Sequence, residues 1–335
     1  MYERNQIWNV KRLLNWASEY FTLKNKSQPK LSAELLLASA LNFSRMDLYL
    51  HFDFVPETEK LAKFKEFIQK RIQNMPIQYI LKESHFRNLK LYVDENVLIP
   101  RPETELLVDN VLLTVIEYLK YFYKSRDLSI KIQKNILNIL EIGTGSGAIA
   151  ISLASEIDNF VTNFINKNIE LKSDFQWNII ATEKSSKAIL IARKNAKELI
   201  NSENLSRIEF VECDILPEDN EALNRNFLKN TNIIISNPPY IRESDYYKLS
   251  SEVLNFEPRL ALLAGETGLE IYSEILKRVK PYILPGLCFI IFEIDPAVSK
   301  SLNDLVTSTF KNAVVTIQKD YNNRDRVMII KILEN

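Results

Sequence analysis

The segment Asn237-Pro238-Pro239-Tyr240 contains the residue types that most directly suggest chemistry. Two consecutive prolines fix the backbone and remove two N–H donors. The side-chain carbonyl of Asn237 and the backbone carbonyl of Pro238 together can accept both hydrogens of an –NH2 group, which turns the nitrogen lone pair toward an electrophile. Tyr240 supplies a flat face for a planar amide or base. We therefore predict Asn237, Pro238 and Tyr240 as catalytic residues and all four as substrate-binding residues.

The acceptor predicted from this segment is a planar amide or amine nitrogen, and an amide nitrogen is a weak nucleophile because its lone pair is conjugated. Alignment and desolvation are therefore the expected contributions to the rate, worth up to about 7–11 kcal/mol for well-oriented reactants. Hydrogen bonds from the –NH2 group would also stabilise positive charge that develops on nitrogen. No strong general base is required before transfer. The alternative interpretation of the segment is a plain loop that follows a strand.

A glycine-rich turn at residues 141–147 is the second segment with a chemical signature. It holds three of the chain's six glycines, and glycine permits a tight turn and close approach of a ligand to the backbone. The spacing G-x-G-x-G differs from the dinucleotide pattern G-x-G-x-x-G. The acid that precedes the glycines would repel phosphates but suits a sulfonium or an amino group. The predicted cofactor-binding residues here are Glu141, Gly143, Thr144, Gly145, Ser146 and Gly147.

Acidic residues also end the next two predicted strands. Glu183 lies about where a ribose diol would be bound, and Asp214 lies where an adenine amine would be. Together with Glu141, these carboxylates match a cationic ligand that carries an adenosine. Acids that are merely solvated at strand ends are the alternative. The combination predicts S-adenosyl-L-methionine as cofactor and methyl transfer to nitrogen as the reaction.

The elements that must position these residues form an alternating series. From residue 136 onward, near-continuous apolar runs typical of buried strands alternate with helical runs. This order predicts an α/β fold with a mostly parallel sheet covered on both faces and an antiparallel last edge. The predicted strands are 135–143, 177–183, 207–214, 231–237, 287–294, 313–320 and 326–332, and the predicted helices are 147–157, 185–200 and 269–283.

The first 84 residues are predicted to form a small all-α domain. Apolar residues recur at helical spacing from Ile7 to Ala17 and across Glu57–Gln73, a helix that Pro76 is expected to end. Ser32 is the expected N-cap of a helix between these two.

The region between the helical residues and the sheet contains turn-forming residues. Residues 85–99 alternate like two strands around Asp94-Glu95-Asn96, which predicts a hairpin. Residues 103–119 predict a helix with acids in its first turn. We expect a loop at 124–134. The segment 155–178 is longer than a usual connection and is interpreted as a surface insertion.

Composition narrows the classes of protein. The 335 residues are 46% hydrophobic and 26% charged, which favours a folded chain of about two domains. Basic and acidic residues balance at 43 each, so the charge gives no support to a nucleic-acid substrate. No apolar run is long enough to span a bilayer, and the start does not resemble a secretory signal.

Cysteine and histidine content bears on metals and on the cell compartment. Cys213 and Cys288 form neither a disulfide framework nor a metal-ligand spacing and fit a reducing cytoplasm. The two histidines, His51 and His85, lie far apart and are interpreted as ordinary folded-protein residues. We therefore expect no metal and a cytoplasmic protein.

Several segments resemble the family of release factor glutamine methyltransferases. The Asn-Pro-Pro-Tyr segment alone is shared with enzymes that methylate exocyclic amines of nucleic-acid bases, whereas residues 99–109 (IPRPETELLVD) are much more particular to the glutamine enzymes. The likeness runs from about residue 76 to the end. The segments that carry it are 75–81, 85–109, 141–154, 236–241, 256–272 and 320–330.

The resemblance implies a function and a domain order. The acceptor would be the glutamine side chain in the Gly-Gly-Gln motif of peptide chain release factors. Residues 1–84 would recognise the release factor, 85–100 would form a β-hairpin linker, and 101–335 would form a Rossmann-like methyltransferase domain with a seven-stranded sheet.

The resemblance also implies roles for particular residues. Gly143 to Gly147 and Glu183 would hold the cofactor, Asp214 and Ile215 would lie by the adenine, and Asn237 would border both cofactor and glutamine. Position 183 departs from the family's usual Asp, and Asp295 stands where glycine is common. These departures concern cofactor affinity rather than the presence of a motif.

Two other classes of function compete with this interpretation. A nucleic-acid amine methyltransferase acting on adenine would share both motifs but would usually carry a basic groove or a base-reading domain. A non-catalytic cofactor-binding partner would have no need for Asn237, Pro238 and Tyr240. The neutral charge and the helical N-terminal part favour a protein acceptor.

Overall fold

The chain folds into two compact units. One consists of the residues up to Glu83 together with Leu249–Glu257, and the other consists of Ser84–Lys248 together with Pro258 onward. The first unit is therefore discontinuous in sequence, and a segment from the second half of the chain completes it. The structure, a computed structural model, describes residues 7–124, 136–167, 175–217, 222–283 and 286–334.

The first unit is helical over its described residues. Its apolar core joins the helices through side chains that are fully buried, such as Phe21, Leu36 and Leu48. The short helix Ser251–Phe256 belongs to the same unit. The helices of the N-terminal part are α1 Val10–Leu23, α2 Pro29–Leu41, α3 Arg45–Leu50, α4 Thr58–Ile72 and α5 Ile77–Leu81.

Two predicted helix boundaries in this unit are wrong. Ser32 does not cap α2, because the helix begins at Pro29, whose fixed φ suits the first helical position. Ser32 is buried inside the helix, and its hydroxyl donates to the Ser27 carbonyl. Pro76 does not end α4, which stops at Ile72, but instead precedes α5.

A buried arginine links distant parts of the first unit. The Arg71 side chain is 1% exposed, and its guanidinium donates to Glu252 Oε1 at 2.8 Å and to Ser27 Oγ at 2.8 Å. It also donates to the Met75 carbonyl at 3.1 Å. Because an unpaired buried charge is costly, these contacts tie the segment Leu249–Glu257 into the helical unit.

The second unit contains a seven-stranded sheet. The strands of the second unit are β1 Ser84–Phe86, β2 Leu89–Leu91, β3 Ile136–Ile142, β4 Gln176–Glu183, β5 Ile208–Glu212, β6 Ile233–Ser236, β7 Ile241–Arg242, β8 Leu263–Gly265, β9 Gly286–Glu293, β10 Ala313–Lys319 and β11 Asp325–Glu334. The seven-stranded sheet has the spatial order β10-β11-β9-β6-β3-β4-β5, and β1 with β2 and β7 with β8 form two separate pairs. Within the seven-stranded sheet, the pairs from β9 to β5 are parallel, and the two pairs that involve β11 are antiparallel.

Helices cover both faces of this sheet. Side chains alternate along a strand, so Ile234 of β6 packs into one apolar cluster while Ile233 and Ile235 are buried on the opposite side. The helices of the second unit are α6 Thr104–Lys124, α7 Ala148–Lys167, α8 Ser186–Leu199, α9 Ser202–Leu205, α10 Ala222–Lys229, α11 Glu243–Tyr246, α13 Glu270–Val279 and α14 Ser299–Thr309, and the helix α12 Ser251–Phe256, between α11 and α13 in sequence, belongs to the first unit. The predicted Rossmann-like fold with an antiparallel edge and an added all-α part is confirmed.

The predicted hairpin exists, but its turn is misplaced. β1 and β2 pair with Phe86 opposite Leu89, so the turn is Arg87-Asn88. Arg87 adopts a positive φ of 51°, and its guanidinium is held by Asp109 at 2.7 Å and Glu156 at 2.6 Å. The residues around Asp94 do form a turn, but no strand follows them.

The predicted surface insertion is largely regular structure. Helix α7 continues to Lys167, and β4 begins at Gln176, so much of 155–178 belongs to these two elements. The remaining residues, 168–174, lie outside the described part of the chain. The predicted loop at 124–134 also lies outside it, apart from Lys124 at the end of α6.

Candidate active site

The glycine-rich turn connects β3 to α7 and is held by backbone hydrogen bonds. The amides of Gly143 and Thr144 both donate to the Thr182 carbonyl at 2.9 Å. Gly145 has φ +55°, and a Cβ there would meet no heavy atom within 4 Å. A Cβ at Gly147 would instead meet Ile151 Cδ1 at 2.8 Å. Gly145 thus borders open space, whereas Gly147 lets the turn pack closely against helices.

Glu141 is buried at the end of β3 beneath this turn. Its Oε2 accepts from the Thr144 hydroxyl at 2.9 Å, while its Oε1 is buried and has no hydrogen-bond partner among the described residues. Burial raises the pKa of this carboxyl to about 7, and the bonds from the Thr144 hydroxyl and the Ala150 backbone amide offset part of that effect. An unpaired buried acceptor beside an open backbone turn is suited to a ligand that carries a cationic donor.

Glu183, at the end of β4, closes the turn from the other side. Its Oε2 accepts from the Gly145 amide at 2.9 Å, and its Oε1 accepts from the Ser185 amide at 2.8 Å. These bonds fix the carboxylate in place, and each oxygen retains a second lone pair for a ligand hydroxyl. The structure therefore brings three predicted residues, Glu141, Gly145 and Glu183, into one cluster.

Asp214 and Ile215 follow β5, the strand beside β4. Asp214 is exposed and forms an ion pair with Lys184 at 3.2 Å. Ile215 has φ +67°, which is uncommon for a β-branched residue and costs about 1–3 kcal/mol. The Thr182 hydroxyl donates to the Ile215 carbonyl at 2.9 Å, which supports this strained turn. Strain of this kind is concentrated at ligand sites.

Asn237 leaves the sheet next to the glycine-rich turn. Ile142 and Ser236 are register partners in β3 and β6, so both strands deliver their following residues to the same edge. The Asn237 amide nitrogen, Nδ2, donates to Thr104 Oγ1 at 3.2 Å. Because Nδ2 is bound to Thr104 and the amide is planar, the oxygen Oδ1 points away from Thr104.

The rest of the Asn-Pro-Pro-Tyr segment is packed rather than loose. Pro238 is buried, and Pro239 and Tyr240 are half-buried. Burial raises the pKa of the Tyr240 phenol above its usual range, so the ring remains neutral. A Cβ at Gly268 would lie 2.9 Å from the Tyr240 carbonyl, so glycine is needed for this approach. The rigid loop inferred from the two prolines is thus supported by its neighbours.

Four residues that support the site were not among the predicted site residues. Thr182 holds both the glycine-rich turn and Ile215, as described above. Asn195 of α8 donates to the Ser146 carbonyl at 2.9 Å and anchors the same turn. Thr104 and Glu293 lie behind Asn237 and are joined by a 2.6 Å hydrogen bond. Thr104 lies in a segment that carries the resemblance and Glu293 lies outside all of them, and only tertiary structure shows that the two side chains touch.

Comparisons with known proteins show the family of the chain. Residues 12–81 match a family profile described as the PrmC N-terminal domain. The chain is 34% identical to a release factor glutamine methyltransferase of Chlorobaculum tepidum, over 96% of each chain. The chain belongs to the release factor glutamine methyltransferase family. The resemblance inferred from the sequence is thereby confirmed.

Other relatives in the release factor glutamine methyltransferase family are similarly distant. The protein of Rhodopirellula baltica is 32% identical over 96% of this chain and 95% of its own length. The protein of Bacillus subtilis is 30% identical over 96% of this chain and 97% of its own length. The similarity therefore includes both the helical part and the sheet.

The described ranges contain neither a membrane-spanning helix nor a cluster of metal-ligating side chains. None of the helices there has the length and apolar character needed to cross a bilayer. Within the same ranges, no three His, Cys, Asp or Glu side chains are grouped so that they could bind a metal ion.

Proposed function

We propose that this chain methylates the side-chain amide nitrogen of the glutamine in the Gly-Gly-Gln motif of peptide chain release factors, with S-adenosyl-L-methionine as methyl donor. The observation that carries the proposal is the Asn237 side chain, which is held by Thr104 through its nitrogen and so offers a carbonyl oxygen to an –NH2 group. Relatives named for this activity align with nearly the whole chain. Such a substrate would place the protein in the cytoplasm.

The residues around the glycine-rich turn fit the cofactor. Glu141 Oε1, buried and unpaired among the described residues, would accept from the ammonium group of the methionine portion. A Cβ at Gly143 or Gly145 would meet no heavy atom within 4 Å, so both glycines leave space for a ligand. When bound, S-adenosyl-L-methionine supplies an electrophilic methyl group on a sulfonium. Thr144, Ser146 and Gly147 would complete the cradle.

The nucleoside part of the cofactor would lie across β4 and β5. Glu183, which the Gly145 and Ser185 amides already hold, would accept from the ribose hydroxyls. Asp214 and Ile215 would flank the adenine, with the exposed Asp214 carboxylate facing its amine. The extra methylene of Glu183, compared with the family's usual Asp, would let the carboxylate bind the Gly145 and Ser185 amides and still face the ribose.

Asn237, Pro238 and Tyr240 would act on the acceptor nitrogen. The carbonyls of Asn237 and Pro238 would accept the two amide hydrogens, so that the lone pair faces the methyl donor. These acceptors would also stabilise the positive charge that develops on nitrogen during transfer. Pro239 and Tyr240 would hold the plane of the amide. The released proton passes to solvent after transfer, which requires no buried base.

Cofactor affinity should depend on pH through Glu141. Burial raises the pKa of this carboxyl to about 7, and only the ionised form attracts an ammonium group. The affinity for the cofactor should therefore be highest above pH 7 and should weaken as pH falls through about 7, by up to about tenfold per pH unit. Calorimetry at about pH 8 and about pH 6 measures the change. Glu141→Gln should bind weakly at both values, and a wild-type affinity that ignores pH would contradict the assignment.

The helical part would recognise the release factor. We propose residues 1–84 as this recognition domain, 85–100 as a hairpin linker and 101–335 as the methyltransferase domain. The match of residues 12–81 to the PrmC N-terminal domain supports a conserved module in this position. The segment Leu249–Glu257 belongs to the same compact unit and would contribute to it.

Transfer of a labelled methyl group tests the proposal directly. Purified full-length protein is incubated with labelled S-adenosyl-L-methionine and either a bacterial release factor, the same factor with Gly-Gly-Ala in place of Gly-Gly-Gln, or total RNA. Label on the wild-type factor alone is the expected result. Label on RNA, or equal label on both factors, would overturn the proposed acceptor and favour an amine of a nucleic-acid base or another protein site.

A further inference from the structure

We propose that Thr104 and Glu293 are positioning residues that determine which end of the Asn237 amide faces the acceptor. This inference rests on the proposed function, because it concerns how the acceptor –NH2 group is recognised. Neither residue belongs to the Asn-Pro-Pro-Tyr segment or to the glycine-rich turn. Both act through Asn237 rather than on the reacting atoms.

A continuous hydrogen-bonded chain connects the three side chains. Asn237 Nδ2 lies 3.2 Å from Thr104 Oγ1, and Thr104 Oγ1 lies 2.6 Å from Glu293 Oε2. Thr104 is the first residue of α6, and Glu293 is the last residue of β9. These hydrogen bonds therefore connect α6 and β9 to the loop that follows β6.

The ionised carboxylate of Glu293 sets the direction of these hydrogen bonds. An ionised carboxylate can only accept, so the Thr104 hydroxyl hydrogen must point to Glu293. The Thr104 oxygen then presents only lone pairs to Asn237, and the atom of Asn237 that faces it must be the –NH2 nitrogen. The oxygen of Asn237 is left for the acceptor. An asparagine amide alone has no such preference, because its two ends are nearly equal in shape.

Burial makes this arrangement specific. Thr104 is 5% exposed and Glu293 is 1% exposed, so water does not compete for their hydrogen bonds. The Tyr272 hydroxyl donates to the Glu293 carbonyl at 2.7 Å and fixes the backbone from which the carboxylate extends. A carboxyl group at such a site costs folding energy, which is consistent with a functional reason for its presence.

Several groups influence the charge of Glu293. Burial raises its pKa to about 7, and the hydrogen bond from Thr104 and the charge of Arg326 oppose this rise. A protonated Glu293 could donate to Thr104, which would allow the Thr104 hydroxyl to donate to Asn237 Oδ1 and the amide to turn over. The titratable and charged groups that face Glu293 are Arg101, Glu103, Tyr240, Tyr272 and Arg326.

The decisive comparison is between Thr104→Val and Thr104→Ser. Valine keeps the shape but removes the hydroxyl, and we expect kcat/KM for the release factor at saturating S-adenosyl-L-methionine to fall about ten- to a hundredfold. Serine keeps the hydroxyl and should recover most of this loss. Cofactor affinity, measured by calorimetry, should change less than about twofold in both variants.

Thr114→Val is the matched control. Thr114 lies on the same helix, is also buried, and donates its hydroxyl to the Asn110 carbonyl, away from Asn237. It should retain wild-type turnover even if its stability falls. Equal losses in Thr104→Val and Thr114→Val, or no recovery in Thr104→Ser, would overturn the positioning role. Absence of turnover in the wild type would instead count against the proposed function itself.

Glu293→Gln supplies a second readout. At saturating cofactor, wild-type kcat/KM should decline as pH falls through about 7, because a protonated Glu293 no longer fixes the direction of the hydrogen bonds to Thr104 and Asn237. The glutamine variant should have lower kcat/KM at high pH and should lose this decline. Binding of the release factor to protein saturated with S-adenosylhomocysteine should weaken in parallel. Unchanged kcat/KM with an unchanged pH profile in Glu293→Gln would show that Glu293 does not orient the Asn237 amide.

Discussion

Replacing Asn237 with alanine is expected to lower kcat for methyl transfer by at least about a hundred- to a thousandfold. The variant loses the side-chain oxygen that would accept from the glutamine –NH2 group, and with it both alignment and charge stabilisation. The affinity for S-adenosyl-L-methionine should stay within about twofold, because the proposed cofactor contacts at Glu141 and Glu183 are untouched. Single-turnover transfer to a release factor and calorimetry with the cofactor measure the two quantities separately.

Asn230→Ala provides a control of the same chemical type. Asn230 is half-buried, and its side chain donates locally to Asn226, one turn earlier. It should keep wild-type turnover, which shows that loss of an asparagine in this unit is not in itself damaging. Turnover retained in Asn237→Ala would remove Asn237 from the mechanism.

Gly145→Val is expected to raise the dissociation constant of S-adenosyl-L-methionine by about a hundredfold or more. Two effects contribute to this loss. A β-branched residue at φ +55° costs about 1–3 kcal/mol of strain, which would move the amide that holds Glu183. The valine methyl groups would also fill the open space against which the cofactor is proposed to lie. Calorimetry on the purified variant measures the affinity.

Asn323→Val separates these two effects. Asn323 has φ +59° in the exposed turn between β10 and β11, so valine there imposes a similar strain without approaching the glycine-rich turn. This variant should unfold at a lower temperature and bind the cofactor with wild-type affinity. If Gly145→Val also binds with wild-type affinity, the turn does not hold the cofactor.

Sequence patterns were sufficient for the sheet because its signals are local and strong. The apolar run 233–235 is buried on both faces, as is typical of a strand in a parallel sheet that helices cover on both sides. All seven strands of the main sheet were predicted within a few residues. Their order follows from chain connectivity and right-handed crossovers, which the sequence does not state.

Boundaries were less predictable where two local signals compete. Ser32 is a good N-cap type, but Pro29 three residues earlier starts the helix and leaves Ser32 inside it. The turn-forming residues Asp94-Glu95-Asn96 predict the hairpin turn at that position. Arg87 turns the chain instead: its backbone is in the left-handed region, and Asp109 and Glu156 hold its guanidinium. Tertiary ion pairs of this kind are invisible to a local pattern.

The candidate site shows the same division. Glu141, Glu183 and the glycines were predicted because they lie at strand ends, where position along the chain fixes position at the sheet edge. The roles of all these residues remain predictions. Thr104 and Glu293 were not predicted, because the two residues are far apart in sequence and meet only through the packing of α6 against β9. A hydrogen bond between distant residues leaves no spacing to detect.

No single cut in the gene separates the two compact units, because Leu249–Glu257 is encoded after the Asn-Pro-Pro-Tyr segment yet belongs to the helical unit. A fragment that ends at Glu83 would leave the Arg71 guanidinium without its Glu252 partner. A fragment that begins at Ser84 would retain Leu249–Glu257 without the helices that surround it. Gene fusion or gene loss near residue 84 would damage both products. Evolution should therefore have kept the two units together as one inherited piece rather than exchanged them as separable modules.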